Sequence, residues 1–292
     1  MERPPSLNRN KSMADPKAGT CSWKFESWVG LVYSRTFRTA AQYLIEYSRK
    51  YRTAEIDSWF YRMPDRQTVL DYLENVDEDF SFTCKLPMAI SLTHHRKRKG
   101  ETELRPNPGF LSQELFSEFL EAGEPMTGRL DAVMLQFEYL NRKKMPSLEH
   151  FIRSLESFVT GVPEEIPLAI ETRNSNYLHG EYFDFLRESR IMHVFSEKIY
   201  MPHIYQVYEK HGDLLSGGSV IRLIGGDRKD IEKKTGKKWN RLVEPREDLE
   251  EIAAMVRDMV ERGIEVTVNI NNHYEGSAPL TIERFGRMLK KG

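Results

Sequence analysis

The stretch Pro167–Tyr177 reads PLAIETRNSNY, and it decides the fold class. It opens with a short apolar run of the kind found in parallel strands that are covered on both faces. The polar residues Glu171, Thr172, Arg173 and Asn174 then end the run abruptly. Ligands of parallel α/β proteins bind beyond the carboxyl ends of such strands. Because Glu171 and Arg173 point the same way on an extended chain, they are either site residues or a structural ion pair.

Strand-like and helix-like segments alternate along the rest of the chain. Strands are predicted over residues 18–23, 53–57, 80–86, 131–137, 168–171, 191–196, 219–224 and 264–270. Helices are predicted over residues 40–50, 65–75, 111–122, 147–160, 180–187, 204–211, 246–262 and 280–290. Eight such units, with no break in composition, predict an α/β protein that is a single (β/α)8 TIM-type barrel. A doubly wound open sheet is the alternative, but no glycine-rich nucleotide fingerprint supports it.

The bulk properties exclude several classes of protein. The 292 residues carry a formal net charge of −1, with 30% charged and 39% hydrophobic residues, as in ordinary globular proteins. No apolar stretch approaches the roughly 20 residues that cross a membrane, and the N-terminus lacks the apolar core of a signal peptide. The two cysteines, Cys21 and Cys84, support no disulfide framework. We therefore expect a cytoplasmic protein without membrane contact, with a disordered tail over residues 1–17 and a barrel domain over residues 18–292.

Two strand-to-helix connections are too long to be plain turns. Residues 87–108 carry the run His94–Lys99, which reads HHRKRK. Residues 225–245 carry a second group of cations, namely Arg228, Lys229, Lys233, Lys234, Lys237, Lys238 and Arg241. Both connections follow a strand, so a barrel places them on its catalytic face. They predict an anionic partner, either a small molecule or a nucleic acid, unless the lysines are simply solvated.

Polar residues at the strand ends form one group of candidate site residues. The catalytic candidates are Glu171, His94, His273 and Glu55. The substrate-binding candidates are Lys85, Gln136, Arg173, Arg222, Asn271, Asn272, Trp23 and Tyr61. Histidine and carboxylate side chains from different strands can bind a divalent metal, although no HxH or HExxH spacing is present, so no metal ligands are assigned. Alternatively, Glu55 is a buried partner of Lys85 or Arg222, and the aromatic residues are packing residues.

The ordered set of segments resembles the YecE-like family, which is classed as a domain of unknown function with the number 72. The matching segments are GTCSW at 19–23, EIDSWFYRMP at 55–64, FTCKLP at 82–87 with TH at 93–94, LQF at 135–137, IETR at 170–173, VIRLIG at 220–225, and NINNH at 269–273 with AP at 278–279. The resemblance implies a TIM-type barrel and adds Trp239 to the substrate-binding candidates. The chain departs from the family pattern at Asp57, Ile224 and Tyr177. The family label implies no established reaction.

Three hypotheses for the function remain open. The first is a metal-assisted or acid–base hydrolase that acts on a phosphate-bearing substrate, including phosphodiester hydrolysis in nucleic acid by analogy with barrel nucleases of the endonuclease IV type. The second is an isomerase, lyase or aldolase that acts on a small phosphorylated sugar, with Lys85 and Glu171 in proton or Schiff-base chemistry. The third is a non-catalytic binding barrel.

Overall fold

The computed structural model describes residues 15–97, 99–215 and 217–291. Its strands are β1 (Lys17–Thr20), β2 (Thr53–Ile56), β3 (Ser81–Lys85), β4 (Leu130–Gln136), β5 (Leu168–Glu171), β6 (Met192–Lys198), β7 (Gly218–Gly225) and β8 (Glu265–Ile270). They form one closed barrel in which each strand pairs in parallel with its neighbours and β1 pairs with β8. The predicted (β/α)8 barrel of the α/β class is therefore confirmed.

The α-helices lie in the connections between the strands. They are α1 (Ala40–Tyr47), α2 (Arg66–Leu73), α3 (Met88–Ser91), α4 (Gln113–Gly123), α5 (Leu148–Val159), α6 (Gly180–Glu188), α7 (Ile204–His211), α8 (Arg228–Thr235), α9 (Leu249–Glu261) and α10 (Ala278–Leu289). Local sequence sets their ends. The side chain of Ser147 accepts a hydrogen bond from the backbone of His150 and begins α5. Gly263, with φ of +79°, follows α9 in the left-handed conformation that glycine tolerates.

The hydrophobic core has two parts because strand side chains alternate between the two faces of the barrel wall. A small group fills the middle of the barrel interior and consists of Ala132, Met134, Ala169, Val194 and Val220. The larger part lies between the strands and the helices and includes the buried aromatic residues of the first three βα units. Small residues in the interior leave room above and below them for polar side chains from the same strands.

The polar cluster at the amino-terminal end of the barrel is centred on Asp131. Its Oδ1 lies 2.7 Å from the Nζ of Lys17, and its Oδ2 accepts hydrogen bonds from Ser81 at 2.6 Å and Thr267 at 3.1 Å. The charges and hydroxyl groups at this end therefore satisfy one another. Residues at the amino-terminal face of such barrels usually stabilise the fold, whereas active sites lie at the carboxyl-terminal face.

Both long connections contain regular structure, which the sequence reading did not predict. The first contains α3 and a bridge between His94 and Pro106, while Arg98 lies outside the described residues. The second contains α8, which begins at the N-cap Asp227 and ends at Gly236 with φ of +62°. The second connection is therefore largely a helix, whose ends are set by the Asp227 N-cap and the left-handed Gly236.

The described part of the chain begins just before the first strand of the barrel. The tail predicted over residues 1–17 lies outside the described residues as far as residue 14, and Lys17 is already the first residue of β1. The first strand ends at Thr20 rather than at Trp23, since Ser22 takes a positive φ of 117° that a strand does not allow. Within the described residues, no helix is long and apolar enough to cross a membrane.

Candidate functional site

Arg222 lies at the centre of the carboxyl-terminal end of the barrel and joins three strands to β7. Its guanidinium group binds both carboxylate oxygens of Glu55, with Nε–Oε2 and Nη2–Oε1 distances of 2.7 and 2.8 Å. Nη1 donates to Glu171 Oε2 at 2.5 Å and to Gln136 Oε1 at 3.1 Å. All four side chains are buried. This network forms the floor of a pocket at the barrel mouth.

Lys85 extends the floor network toward solvent. Its Nζ lies 3.1 Å from Glu55 Oε1, and it also forms an ion pair with Asp57, whose side chain is partly exposed. Its ammonium group lies 5.8 Å from the centre of the Phe60 ring. Lys85 is therefore held between two carboxylates.

The ion pairs keep the buried floor residues charged. Burial raises the pKa of Glu55, but Arg222 and Lys85 outweigh it and lower that pKa to about 2. Burial likewise raises the pKa of Glu171, and Arg222 with Arg173 lowers it below its ordinary value. The pKa of Lys85 is lowered by burial and by Arg222, but Glu55 and Asp57 raise it above its usual value overall. A carboxylate with a low pKa is a weak base, and an ammonium group with a high pKa is a weak nucleophile.

The pocket above this floor has a volume of about 290 Å³. Its wall includes seven of the candidate site residues, namely Tyr61, Lys85, Gln136, Arg173, Arg222, Asn271 and His273, together with Asp57. It also includes Arg96 and Lys198, which sequence reasoning did not select. A cation at the end of β6 was the available signal for Lys198. Arg96 was visible only as one member of a basic run.

Three cations stand around the rim of the pocket. Arg173 Nε lies 3.5 Å from Glu171 Oε1 and is buried without a hydrogen-bond partner. The guanidinium carbon of Arg96 lies 5.9 Å from the ring centres of Phe60 and Tyr61. Burial and the neighbouring Arg173 lower the pKa of Lys198 to about 8. The rim therefore carries positive charge that the floor carboxylates do not fully balance.

His273 is fixed in the wall of the pocket by contacts to three neighbouring side chains. Its Nδ1 lies 2.6 Å from Asn271 Oδ1, and its Nε2 lies 3.4 Å from Glu232 Oε1. The ring packs against Trp239 at a centroid distance of 4.8 Å. Burial lowers the pKa of His273, so the imidazole is neutral near pH 7 and can accept or donate a proton.

The structure does not bring the remaining candidates into the pocket. Asn272 is buried, and its Oδ1 accepts a hydrogen bond from the backbone of Ala278 at 2.9 Å, where α10 begins. Trp23 is buried, donates to the carbonyl oxygen of Ala40 at 2.8 Å and packs against Tyr72. His94 lines a neighbouring surface groove. Trp23 is thus a packing residue, the alternative stated for the aromatic candidates, and Asn272 supports the start of α10.

The four catalytic candidates do not converge on a common point for a metal ion. Both carboxylates, from Glu55 and Glu171, are bound by Arg222, and His94 faces a different groove from His273. In the described part of the chain, the group with metal-ligand geometry is instead Glu197, His203 and Asp248. Its two carboxylates already have protein partners: Glu197 accepts a hydrogen bond from the backbone N–H of Ile204, and Arg246 binds Asp248 at 3.0 Å.

Comparison with known proteins agrees with the geometry of the fold. The family model described as "Protein of unknown function DUF72" matches residues 17–292. The chain belongs to the DUF72 family. Among curated proteins, the UPF0759 protein YecE of Escherichia coli K12 is 26% identical over 160 residues, which are 54% of this chain and 48% of YecE. The chain thus spans about half the length of the curated relatives it matches.

Solved structures of DUF72 proteins share the barrel. A DUF72 protein from Thermotoga maritima superposes with a TM-score of 0.67 at 24% identity, covering 94% of this chain and 98% of that one. A DUF72 protein from Enterococcus faecalis gives a TM-score of 0.68 at 18% identity, covering 94% and 96%. At these identities the likeness shows the fold alone. The function of this DUF72 protein therefore has to be argued from its own pocket.

Proposed function

We propose that this protein is an enzyme that binds a small phosphate-bearing substrate in the pocket at the carboxyl-terminal face of the barrel. The observation that supports it is the charge balance of the pocket. Three carboxylates (Glu55, Asp57 and Glu171) form ion pairs with three cations (Lys85, Arg173 and Arg222). Two further wall cations, Arg96 and Lys198, form no ion pair within the described residues, which leaves a charge approaching +2 near pH 7, where most of the Lys198 amine is protonated.

The other charged wall residues do not change this balance. Glu138 is paired with Lys144 at 2.6 Å, and Arg228 is paired with Glu232 at 2.7 Å. A phosphate monoester carries a charge of about −1.5 to −2 near pH 7, which matches the excess. The volume of about 290 Å³ lies at the lower end of the range for ligand pockets, so it suits a small molecule or one terminal group of a larger one.

Binding of inorganic phosphate and of phosphorylated sugars tests the proposal directly. A ligand at about a hundred times its Kd raises the free energy of unfolding by about 2.7 kcal/mol, which is visible as a higher melting temperature. The variant Arg173→Gln should weaken phosphate binding about tenfold or more, because it removes a charge-assisted donor from the rim. The matched control is Arg190→Gln, since Arg190 has an 86% exposed side chain and lines a groove at the opposite end of the barrel.

Two results would argue against this function. One is the absence of any stabilisation by phosphate, sulfate or phosphorylated sugars under conditions where the protein is folded. The other is an equal loss of phosphate affinity in Arg173→Gln and Arg190→Gln, because equal losses would indicate a non-specific effect of net charge.

A second candidate function is the binding of a nucleic-acid strand whose terminal phosphate enters the same pocket. A surface groove of about 1110 Å³ adjoins the pocket and shares Arg96 and Glu138 with it. Arg142 and Lys143 line that groove and form no ion pair in the described part of the chain. A row of such cations is the electrostatic footprint of a polyanion site. Phosphodiester hydrolysis would be the corresponding reaction.

Two lysines of the second basic connection, Lys234 in α8 and Lys237 just after it, are less suited to this role than their sequence suggests. Lys234 lies 2.6 Å from both Asp230 and Glu244, and Lys237 lies 3.7 Å from Glu232. Their charges are therefore largely compensated.

Strand binding is tested with a short single-stranded DNA, whose affinity should fall as the salt concentration rises. The double variant Arg142→Gln/Lys143→Gln should lose affinity and reduce the salt dependence, whereas Lys234→Gln/Lys237→Gln should change both only slightly. Cleavage of the DNA with and without added divalent metals tests hydrolysis. Binding that is independent of salt, or that is lost equally in both double variants, would contradict the strand model.

A further inference from the structure

Lys198 occupies the border between two cavities at the barrel mouth. It is the last residue of β6, where the pairing with β7 slips by one residue so that Lys198 lies opposite Gly225. Irregular pairing of this kind commonly redirects a side chain near a functional site. Lys198 and Arg173 line both the phosphate pocket and a neighbouring cavity of about 430 Å³, whose other walls include Tyr139, Ile199 and Tyr200.

The surroundings of Lys198 differ from those of Lys85 in the same pocket. Lys85 contacts two carboxylates, whereas Lys198 forms no ion pair within the described residues. Burial and the positive charge of Arg173 oppose protonation of its amine, while Glu171 favours it. With its pKa near 8, roughly a quarter of the Lys198 amine is neutral at about pH 7.5, against about 0.1% for an ordinary lysine. Only the neutral amine is a nucleophile.

We propose that Lys198 is the amine nucleophile of this pocket and forms a Schiff base with the aldehyde or ketone group of a phosphate-bearing substrate. The inference rests on the proposed phosphate pocket for its substrate class. With the phosphate at Arg96 and Arg173 on the rim, the carbon chain extends toward the second cavity, which Arg173 also lines, and its carbonyl group reaches Lys198 on the border. The sequence-based choice of Lys85 for this chemistry is replaced, because Lys85 stays protonated between its two carboxylates.

The chemistry balances without an oxidant or a reductant. The amine lone pair forms an N–C bond to the carbonyl carbon, and the C=O π electrons move to oxygen, which takes up a proton. The nitrogen loses a proton, the carbinolamine loses water, and a C=N bond remains. Solvent water at the open mouth of the pocket can supply and take up these protons.

Trapping with borohydride tests the proposal. The protein is incubated with pyridoxal 5′-phosphate, an aldehyde that bears a phosphate, and with butanal, which bears none; borohydride then reduces any imine to a stable secondary amine. Peptide mapping should find the label predominantly at Lys198 with both aldehydes. Inorganic phosphate should compete with pyridoxal 5′-phosphate but not with butanal. The rate of butanal labelling at Lys198 should rise with pH around a midpoint near 8, as its pKa requires.

Variants and outcomes separate this inference from the proposed function. Lys198→Arg keeps the positive charge and should lose the label; Lys198→Met provides a second variant, and the melting temperature shows whether each is folded. Labelling of Lys198 by both aldehydes, with no competition between inorganic phosphate and pyridoxal 5′-phosphate, would leave the nucleophile standing and remove the phosphate pocket. Phosphate binding combined with labelling spread evenly over surface lysines, or with no label at Lys198, would overturn the nucleophile and leave the phosphate pocket.

Discussion

The substitution Arg222→Met tests whether the buried network is held together by one guanidinium group. Arg222 is buried and binds the carboxylates of Glu55 and Glu171, which are themselves fully buried. Removing one partner of a buried ion pair costs about 3–5 kcal/mol, because the remaining charge stays buried without compensation. That loss is a large part of a typical unfolding free energy of about 5–15 kcal/mol. We expect Arg222→Met to lower the stability by this amount at pH 7.

The pH dependence gives a second measure of the same network. Arg222 and Lys85 lower the pKa of Glu55 from 4.5 to about 2 in spite of its burial. Linkage then gives Glu55 a contribution on the order of 3 kcal/mol, which is present above its unfolded pKa and is lost as the pH falls toward 2. Without Arg222, burial should raise the pKa of Glu55 and Glu171. A carboxyl group with a raised pKa stabilises the fold at low pH, and this stabilisation is lost as the pH rises. The difference in unfolding free energy between the variant and the wild type should therefore shrink as the pH is lowered from 7 to about 4.

The assay is urea unfolding followed by tryptophan fluorescence and by circular dichroism, with coincident curves as the test of two-state behaviour. Arg52→Met is the matched control, since Arg52 forms an exposed ion pair with Asp79 and should cost less than about 1 kcal/mol. The triple variant Glu55→Gln/Glu171→Gln/Arg222→Met should recover part of the loss, because it removes the uncompensated charges. A cost for Arg222→Met as small as that of Arg52→Met, or a gap that does not change with pH, would refute the reasoning.

Three further predictions concern the frame around the pocket. Trp23→Ala should destabilise the protein by about 3–5 kcal/mol, because the ring is buried. The fraction of this variant that stays folded should bind phosphate with unchanged affinity in titration calorimetry. Asp131→Ala should cost about 1–3 kcal/mol in urea unfolding by leaving buried donors unpaired, again without weakening phosphate binding at the opposite end of the barrel; a weaker affinity would contradict this separation. Gly225→Ala should lower the melting temperature and disturb His273, since φ is +90° and a Cβ would lie 2.4 Å from the His273 carbonyl oxygen; an unchanged melting temperature would exclude the clash.

The sequence predicts a cytoplasmic location, a phosphate-bearing partner and a set of catalytic residues, and these stay predictions. The structure shows which of the candidate residues line one pocket. Glu171 ends β5 and Arg173 follows it closely, with the Arg173 Nε atom 3.5 Å from Glu171 Oε1. Both interpretations of the stretch Pro167–Tyr177 therefore apply, since the two residues form an ion pair and also lie at the pocket. Glu171 is bonded to Arg222 in the floor, while Arg173 reaches the rim with its Nε unpartnered. The ion pair thus belongs to the wall of the pocket.

The sequence alone determined the fold class, because that depends on local patterns. Short buried runs such as the one ending at Glu171 alternate with helices whose ends are marked by residues such as Ser147 and Gly263. Eight repeats of that pattern leave few topologies other than the barrel, since parallel strands need helical crossovers of one hand. The ordered family segments pointed to the same fold, and the chain matches that family from residue 17 onward.

Only the tertiary structure decided which charges compensate one another, because the partners are far apart in the chain. Arg222 meets Glu55 across 167 residues of sequence, and Lys234 pairs with Glu244, which lies outside α8. Closure of the barrel also left Lys198 without a carboxylate partner within the described residues. Charge compensation depends on distance in space, and a hydrophobic pattern carries no information about which side chains meet across a closed barrel.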